Sequence, residues 1–374
     1  MRIIERYPLG LKLFNGKGWY GLLKPVRFVL ACLYGIYLDK KTADRKPKIT
    51  SSTGSFQVIS IGNLEAGGSG KTPVTLAIAS YLMKMGKRVA VVTRGYGSVA
   101  ERQGMPVAVV PSGENVHEFG GRWILSAELE KQTKSRGRKV EGVEVTGDEV
   151  SIYMSRRIPV IIDSNRSRGI EAAGHLFRPD HILLDDAFRH TEVHVDLNIL
   201  LLDARRPFGN RRLIPAGTLR ERPEAVERSD VVIFTRSNGR GIPEDALVLT
   251  EGKKILFARH EVSGLVDLDG NRAGDEILDG REVVLFSGIA HPESFERSIS
   301  GTGIEPAVSI RFEDHHVYSR SDVDLIRHAT TEASAYITTE KDIHKVKRFF
   351  DDDELLLALR VEAVISGIES LLDG

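Results

Sequence analysis

Short apolar runs rich in β-branched residues punctuate the middle of the chain. They lie at 56–61 (FQVISI), 88–93 (RVAVVT), 159–163, 181–185 (HILLD), 197–203 (LNILLLD) and 230–235. Runs of this length between turn residues predict buried strands. After the first comes VTLAIASYLMKMGK, with Val74, Ala77, Ile78, Tyr81, Leu82 and Met85 at helical spacing. Pro73 suits the first turn of such a helix, where a missing N–H costs nothing, and Gly86 suits its stop. Strand alternating with helix predicts an α/β fold, a doubly wound parallel sheet. Further runs at 254–258, 282–286 and 335–338 predict a second, smaller α/β domain. RSNGRGIPEDA (236–246), with its glycines and proline, reads as the linker. The expected layout is a leader over 1–50, a core over 51–245, and a smaller C-terminal domain over 246–374.

Composition changes this picture in one place. The 374 residues carry 52 basic and 52 acidic side chains, a balance that argues against a dedicated nucleic-acid binder. Cys32, the single cysteine, excludes an internal disulfide and a thiolate metal cage. The first 50 residues, however, hold eleven Lys/Arg against three Asp/Glu. Within them GWYGLLKPVRFVLACLYGIYLDKK has an apolar stretch, 28–38, too short to span a bilayer, which takes about 20 residues. The stretch runs into Lys40 and Lys41 rather than a small-residue cleavage site, a poor fit to a signal peptide. The expectation is an N-terminal membrane-interface helix. Trp19, Tyr20, Tyr34 and Tyr37 would sit at the headgroup boundary, and Lys24, Arg27, Lys40 and Lys41 would meet anionic lipid. The competing reading is a helix packed on the body of the protein.

The strand at 56–61 leads into EAGGSGKT (65–72), and a helix follows. That context makes the glycines a phosphate-binding loop, with Glu65, Ala66, Gly67, Gly68, Ser69, Gly70, Lys71 and Thr72 as the nucleotide-binding set. Backbone N–H groups would cradle phosphates, Lys71 would reach the β/γ-phosphates, and the Thr72 hydroxyl would bind Mg²⁺. Glu65 stands where the general pattern has glycine. The second metal anchor of such a site is an acid at a strand end. Asp185–Asp186 in HILLDDAFRH supplies it, since adjacent carboxylates repel unless a cation sits there. Asp203 is the rival, read as structural or substrate-facing. Three classes of phosphate-loop protein compete. A membrane-associated switch ATPase would carry a lysine where Glu65, Ala66 and Gly67 stand. A GTPase would show a guanine motif, of which TTEKD (338–342) is a near miss. A metal chaperone would show a ligand cluster, which His315 and His316 do not complete. All three tests lean towards a small-molecule or lipid kinase.

VISIGNLEAGGSGKTP, VVTRGYG, GDE (147–149), LLDDAFRH, LLDARRPFGNRRLIPAGTLRE (201–221) and TTEKD occur in that order. Their order and spacing resemble the tetraacyldisaccharide 4′-kinase family over nearly the whole chain, and 203–221 is the most diagnostic string. The resemblance implies transfer of the ATP γ-phosphate to the 4′-hydroxyl of a tetraacylated glucosamine disaccharide 1-phosphate. It also implies a peripheral or monotopic enzyme at the cytoplasmic face of the inner membrane, using ATP and Mg²⁺, with the lipid-linked disaccharide and the membrane surface as partners. Neither nucleic acid nor an obligate protein partner is expected. It assigns proton acceptance to Asp148, with His315 orienting it, and makes Glu149 a metal partner beside Asp185 and Asp186. Arg94, Arg166, Arg205, Arg206 and Arg220 are candidates for holding substrate phosphate, because a planar guanidinium matches phosphate geometry. The chain departs from the family at Ala187–Phe188 and at Val150, and neither change removes a chemical group.

Overall fold

The computed structural model of the protein describes residues 1–6, 24–43, 56–66, 70–104, 106–110, 124–125, 147–237, 239, 241–330 and 334–371. The described chain divides into a larger unit, within Gly21–His260 and Glu362–Gly374, and a smaller one, within Met1–Tyr20 and Glu261–Val361. The leader is shared between them. Its first strand, β1 (Arg2–Arg6), belongs to the smaller unit, and helix α1 (Lys24–Ala43) to the larger.

In the larger unit β2 (Gln57–Asn63) leads to α2 (Lys71–Lys84) and β3 (Val89–Thr93). Strands β4 (Val107–Val109) and β5 (Ile124–Leu125) precede α3 (Asp148–Ser155) and β6 (Val160–Ile162). Next come α4 (Arg166–Phe177), β7 (His181–Asp185), β8 (Leu197–Asp203), β9 (Val231–Thr235) and the start of β10 (Lys254–Val266). The strand order is β10-β9-β8-β2-β7-β3-β6-β4-β5, parallel except where β4 runs against β6. Ile59, Ile61, Val91 and Leu183 pack with Val74, Ile78 and Leu82 of α2 and Tyr153 of α3. Val58, Ala90, Val92, Ile182 and Leu184 pack with Ala172 and Ala173 of α4 on the opposite face. Helices on both faces explain why these strands read as continuous apolar runs rather than alternating ones.

The expected division at 245 lies elsewhere in the structure. RSNGRGIPEDA falls between β9 and β10, and β10 pairs in register with β9 from Lys254↔Val231 to Ala258↔Thr235. That pairing keeps the segment in the larger unit, and the division falls at Glu261.

The smaller unit contains β11 (Arg272–Ala273), β12 (Glu282–Ser287), α5 (Pro292–Ser300), β13 (Val308–Phe312) and α6 (Arg320–Arg327). Then come β14 (Ser334–Thr339), α7 (Glu340–Val346) and the start of β15 (Leu355–Ser366), which belongs to this unit as far as Val361. Its parallel order is β1-β13-β12-β14-β15. Edge strand β1 is largely exposed, with Ile4 packed on the core, which is why its short RIIER run gave no strand signal.

Helix α1 shows two faces. Ala31, Gly35 and Leu38 are buried, and Ala31 and Leu38 pack in a cluster with Leu64, Phe188, Phe208 and Leu213. Val26, Val29, Leu30, Leu33, Ile36 and Tyr37, at helical spacing on the other side, stay 48–57% exposed. Tyr34 and Arg27, both expected at the lipid boundary, face the protein. The Tyr34 hydroxyl donates to Arg220 O at 3.0 Å, and Arg27 donates to Pro215 O. Trp19 and Tyr20 lie outside the described residues. No helix among the described residues is long and apolar enough to cross a membrane.

Candidate active site

Lys71, Asp186 and Arg220 of the larger unit meet at the C-terminal ends of β2 and β7. The phosphate loop begins where β2 ends, and its entry is tied to the string 203–221. Ala66 N donates to Thr218 O at 2.7 Å, Arg220 N donates to Leu64 O at 2.7 Å, and the Thr218 hydroxyl donates to Glu65 Oε1 at 2.6 Å. A Cβ on Gly209 would come within 2.6 Å of the same Glu65 oxygen. Glu65, the departure from the general motif, is thus a tether between loop and string. Gly67, Gly68 and Ser69 lie outside the described residues. Gly70 opens α2 at φ +79°, a left-handed conformation that disfavours a side chain. Thr72 sits in the first turn of α2, half-buried.

Lys71 Nζ lies 3.2 Å from Asn63 Oδ1 and 3.6 Å from Asp186 Oδ1. Arg220 forks onto Asp186 with bonds of 2.7 and 3.0 Å and reaches Asn63 Oδ1 at 2.5 Å. Burial opposes charge on Asp186, but Arg220, Lys71 and Arg166 outweigh it and hold the carboxyl well below the usual range. Asp186 also adopts φ +50°, so the chain turns sharply as it leaves β7. Gly62 makes room for that turn. A Cβ there would stand 2.7 Å from Phe188 N.

Asp185 differs from its neighbour. It is fully buried in the core, and desolvation, with Glu149 and Asp186 nearby, pushes its carboxyl up to about 6 against the pull of Tyr153 and Lys71. Its Oδ2 accepts from the Tyr153 hydroxyl at 2.7 Å, while Oδ1 has no partner among the described residues. An orphaned carboxylate oxygen beside a second acid is what a divalent cation would satisfy. The donor set of Thr72, Asp185, Asp186 and Glu149 suits Mg²⁺, which takes few protein ligands and fills its shell with phosphate and water. Among the described residues no three or more His, Cys, Asp or Glu stand together to hold a metal ion by themselves, so phosphate and water would have to complete the shell.

GDE opens α3. Gly147 caps it at φ +91° with its backbone against Gly95 and Tyr96, so the RGYG loop and the GDE turn adjoin. The side chain of Asp148 lies outside what the structure describes. Glu149 acts electrostatically on both Asp185 and Tyr153.

The five arginines separate by environment. Arg166 is 1% exposed, with its fork on Asp163 O (3.0 Å) and Asp185 O (2.9 Å), and desolvation lowers its affinity for the proton. Arg220 is committed to Asp186. Arg205 pairs with Asp203 at 2.8 Å, and Arg236 joins it at 2.7 Å. Burial works against the Asp203 charge, yet these two arginines bring its carboxyl to about 2. Arg206 is exposed, and Arg94 is exposed beside Glu101 at 2.5 Å.

In the smaller unit His315 takes φ +60°, donates its N–H to Gly288 O at 3.1 Å, and has Lys341 Nζ 3.3 Å from Nδ1. Its neighbour His316 is stacked 4.6 Å from Phe312 with Nε2 3.3 Å from Asp322, so it is engaged in packing. TTEKD is structural in part. The Thr339 side chain caps α7, and buried Asp342 accepts from Gly288 N at 2.9 Å.

Two residues of the larger unit carried no sequence signal. Tyr153 holds Asp185. His260 points Nε2 at Gly70, about 3.0 Å from where a Cβ would stand, and that nitrogen is buried with no partner among the described residues. Desolvation lowers His260 to about 4. Neither belongs to a motif, and only the strand order brings them to the loop.

A profile of the family described as tetraacyldisaccharide-1-P 4′-kinase matches residues 22–129 and 126–373. The tetraacyldisaccharide 4′-kinase of Geobacter metallireducens is 34% identical over 333 residues, covering 86% of this chain and 89% of its own. That of Pelobacter propionicus is 34% identical over 362 residues, covering 95% and 88%. Among solved structures, LpxK from Aquifex aeolicus in complex with ATP superposes with a TM-score of 0.71 at 27% identity, covering 93% of this chain and 97% of that one. With its phosphate loop, tandem acids and near-complete coverage, this chain belongs to the tetraacyldisaccharide-1-P 4′-kinase family.

Proposed function

We propose that this chain transfers the γ-phosphate of ATP to the 4′-hydroxyl of a tetraacylated glucosamine disaccharide 1-phosphate, giving the bis-phosphorylated lipid. The observation that carries the reading is the network of Lys71, Asn63, Asp186 and Arg220 at the mouth of a phosphate loop, in a chain of this family. Phosphoryl transfer asks a protein mainly to position reactants and neutralise charge. Lys71 supplies the mobile charge for the β/γ-phosphates. Arg220 keeps Asp186 ionised while Lys71 moves to the nucleotide. Thr72, Asp185, Asp186 and Glu149 would hold Mg²⁺, which when bound neutralises phosphate charge.

Asp148 is proposed to accept the proton of the attacking hydroxyl, and His315 is proposed as a second group of the reaction. Both assignments rest on their motifs. Exposed Arg94 and Arg206 are the better candidates for the substrate's phosphate, because a surface ion pair such as Arg94–Glu101 is worth little and exchanges readily. The exposed apolar face of α1 supports a peripheral location on the inner membrane, with acyl chains left in the bilayer.

The test is transfer of label from γ-labelled Mg-ATP to the disaccharide 1-phosphate in detergent micelles. Labelled bis-phosphorylated lipid, lost in Lys71→Ala and in Asp148→Ala, is the expected result. ATP hydrolysis without lipid labelling would overturn the reading in favour of a membrane-associated switch ATPase acting on a protein.

A further inference from the structure

Tyr153 stands on α3, five residues beyond Asp148 and four beyond Glu149. It is 0% exposed, with its ring packed among Val150, Ile158, Val160 and Leu183 in the core beneath the sheet. A buried phenol needs a partner for its hydroxyl. This one donates to Asp185 Oδ2 at 2.7 Å, and Thr75 of α2 borders the same hydroxyl. Three elements therefore meet at one oxygen: the phosphate-loop helix, the helix headed by GDE, and the strand ending in the tandem acids. Asp186 is occupied on both oxygens by Arg220, with Lys71 beside it, whereas Asp185 keeps Oδ1 unpartnered among the described residues.

We propose that Tyr153 is a positioning residue. Its hydroxyl takes one oxygen of Asp185, fixes the carboxylate plane, and leaves Oδ1 as the oxygen available to a divalent cation. The same bond fastens the helix carrying Asp148 and Glu149 to that carboxylate, so the acid–base and metal-side groups hold a common register. The inference rests on the reading of Asp185 as a metal-side acid. It differs from a purely structural role, in which the hydroxyl satisfies itself on the nearest carboxylate and contributes to stability alone. Outer-shell partners of metal-binding carboxylates alter metal affinity by about 10–100-fold.

The test uses the full-length chain and three variants: Tyr153→Phe, which keeps the ring, Tyr153→Leu, which removes ring and hydroxyl, and Asp185→Asn. Binding of a non-hydrolysable ATP analogue is titrated calorimetrically against Mg²⁺, with EDTA as the metal-free reference. Mn²⁺ bound in the same complex is counted by electron paramagnetic resonance. Tyr153→Phe is expected to raise the Mg²⁺ half-saturation about tenfold or more while leaving nucleotide affinity in EDTA unchanged. Tyr153→Leu should show the same metal shift with a larger loss of thermal stability. Loss of the metal effect in Asp185→Asn with wild-type half-saturation in Tyr153→Phe would overturn the positioning role and leave the Asp185 reading intact. Unchanged half-saturation in Asp185→Asn would overturn that reading, and the inference with it. A metal shift that follows melting temperature rather than the hydroxyl would also overturn it.

Discussion

Replacing Arg166 by Met separates a substrate-binding arginine from one that holds the site's frame. Arg166 belongs to the arginines first expected to grip the lipid phosphate, yet it is 1% exposed and spends its fork on the carbonyls of Asp163 and Asp185 at 3.0 and 2.9 Å. Hydrogen bonds from a charged donor contribute about 1.5–3 kcal/mol each. Losing both therefore costs roughly 3–6 kcal/mol before compensation. Some of that returns, because desolvation already lowers Arg166 and Met removes a buried charge. The carboxylates of Asp163, Asp185 and Asp186, however, lose a nearby cation. A net loss of about 3–5 kcal/mol follows, or roughly 10 °C in melting temperature at about 2–4 °C per kcal/mol for a unit of this size. The assay pairs calorimetric melting with steady-state kinetics well below the transition. The KM for the disaccharide 1-phosphate should stay within about twofold of wild type, since the side chain is buried and committed to two backbone carbonyls. A variant that melts normally but shows a strongly raised lipid KM would refute the reasoning and return Arg166 to the substrate.

Other consequences are equally direct. Gly62→Ala places a Cβ 2.7 Å from Phe188 N, a backbone atom that cannot swing aside, so it should cost about 1–3 kcal/mol in urea unfolding and weaken ATP binding by displacing the Asp185–Asp186 turn; wild-type stability and affinity would contradict it. Leu33→Glu with Ile36→Glu, both on the exposed face of α1, should abolish sedimentation with anionic vesicles while leaving the melting temperature within about 2 °C; retained vesicle binding would remove that face from the membrane. Burial, with Lys347 adding, lowers His344 to about 4 from an ordinary 6.5, so the unfolded chain binds the extra proton between those values. Stability should fall as pH drops from about 6.5 towards 4, by up to roughly 3 kcal/mol, and His344→Gln should flatten that slope in urea titrations; an unchanged slope would exclude the group.

The six core strands were legible because each is buried on both faces and so reads as an unbroken apolar run between turn residues. β1 and β13 were not, for opposite reasons. RIIER is an exposed edge strand with only Ile3 and Ile4 to mark it, and VSIRF contains Arg311, whose charge is neutralised by Glu296 at 2.6 Å, a partner remote in sequence. The boundary at Glu261 was hidden by composition. RSNGRGIPEDA has every local mark of a linker, but β10 beyond it pairs with β9, and pairing across sequence distance leaves no local trace. For α1 the reading as a helix packed on the body of the protein holds for one side, and the other side is an exposed apolar face. Ala31, Gly35 and Leu38 are small or apolar enough to pack, and Leu33 and Ile36 point away.

The site shows the same division at finer grain. Motifs identified which residues matter, because phosphate loops and tandem acids constrain neighbours in sequence. They could not say whom each residue serves, because for Arg220, Glu65 and Tyr153 the deciding partner stands more than 30 positions away. Arg220 illustrates it. It stands in the most diagnostic string of the chain and has the right chemistry for a phosphate, yet both of its terminal nitrogens lie on Asp186 and one also on Asn63. Glu65 is the converse. It looked like a blemish in the loop and proves to be the anchor that Thr218 grips. Together these contacts make string 203–221 a brace for the phosphate loop, one backbone bridge on its entry and one arginine on its acid. The string then has a physical role at the loop. Phosphate-loop folds in general carry their own strand and helix, whereas a loop that begins with Glu65 needs a Thr218 opposite, and an Asp186 beside Lys71 needs an Arg220 to hold it charged.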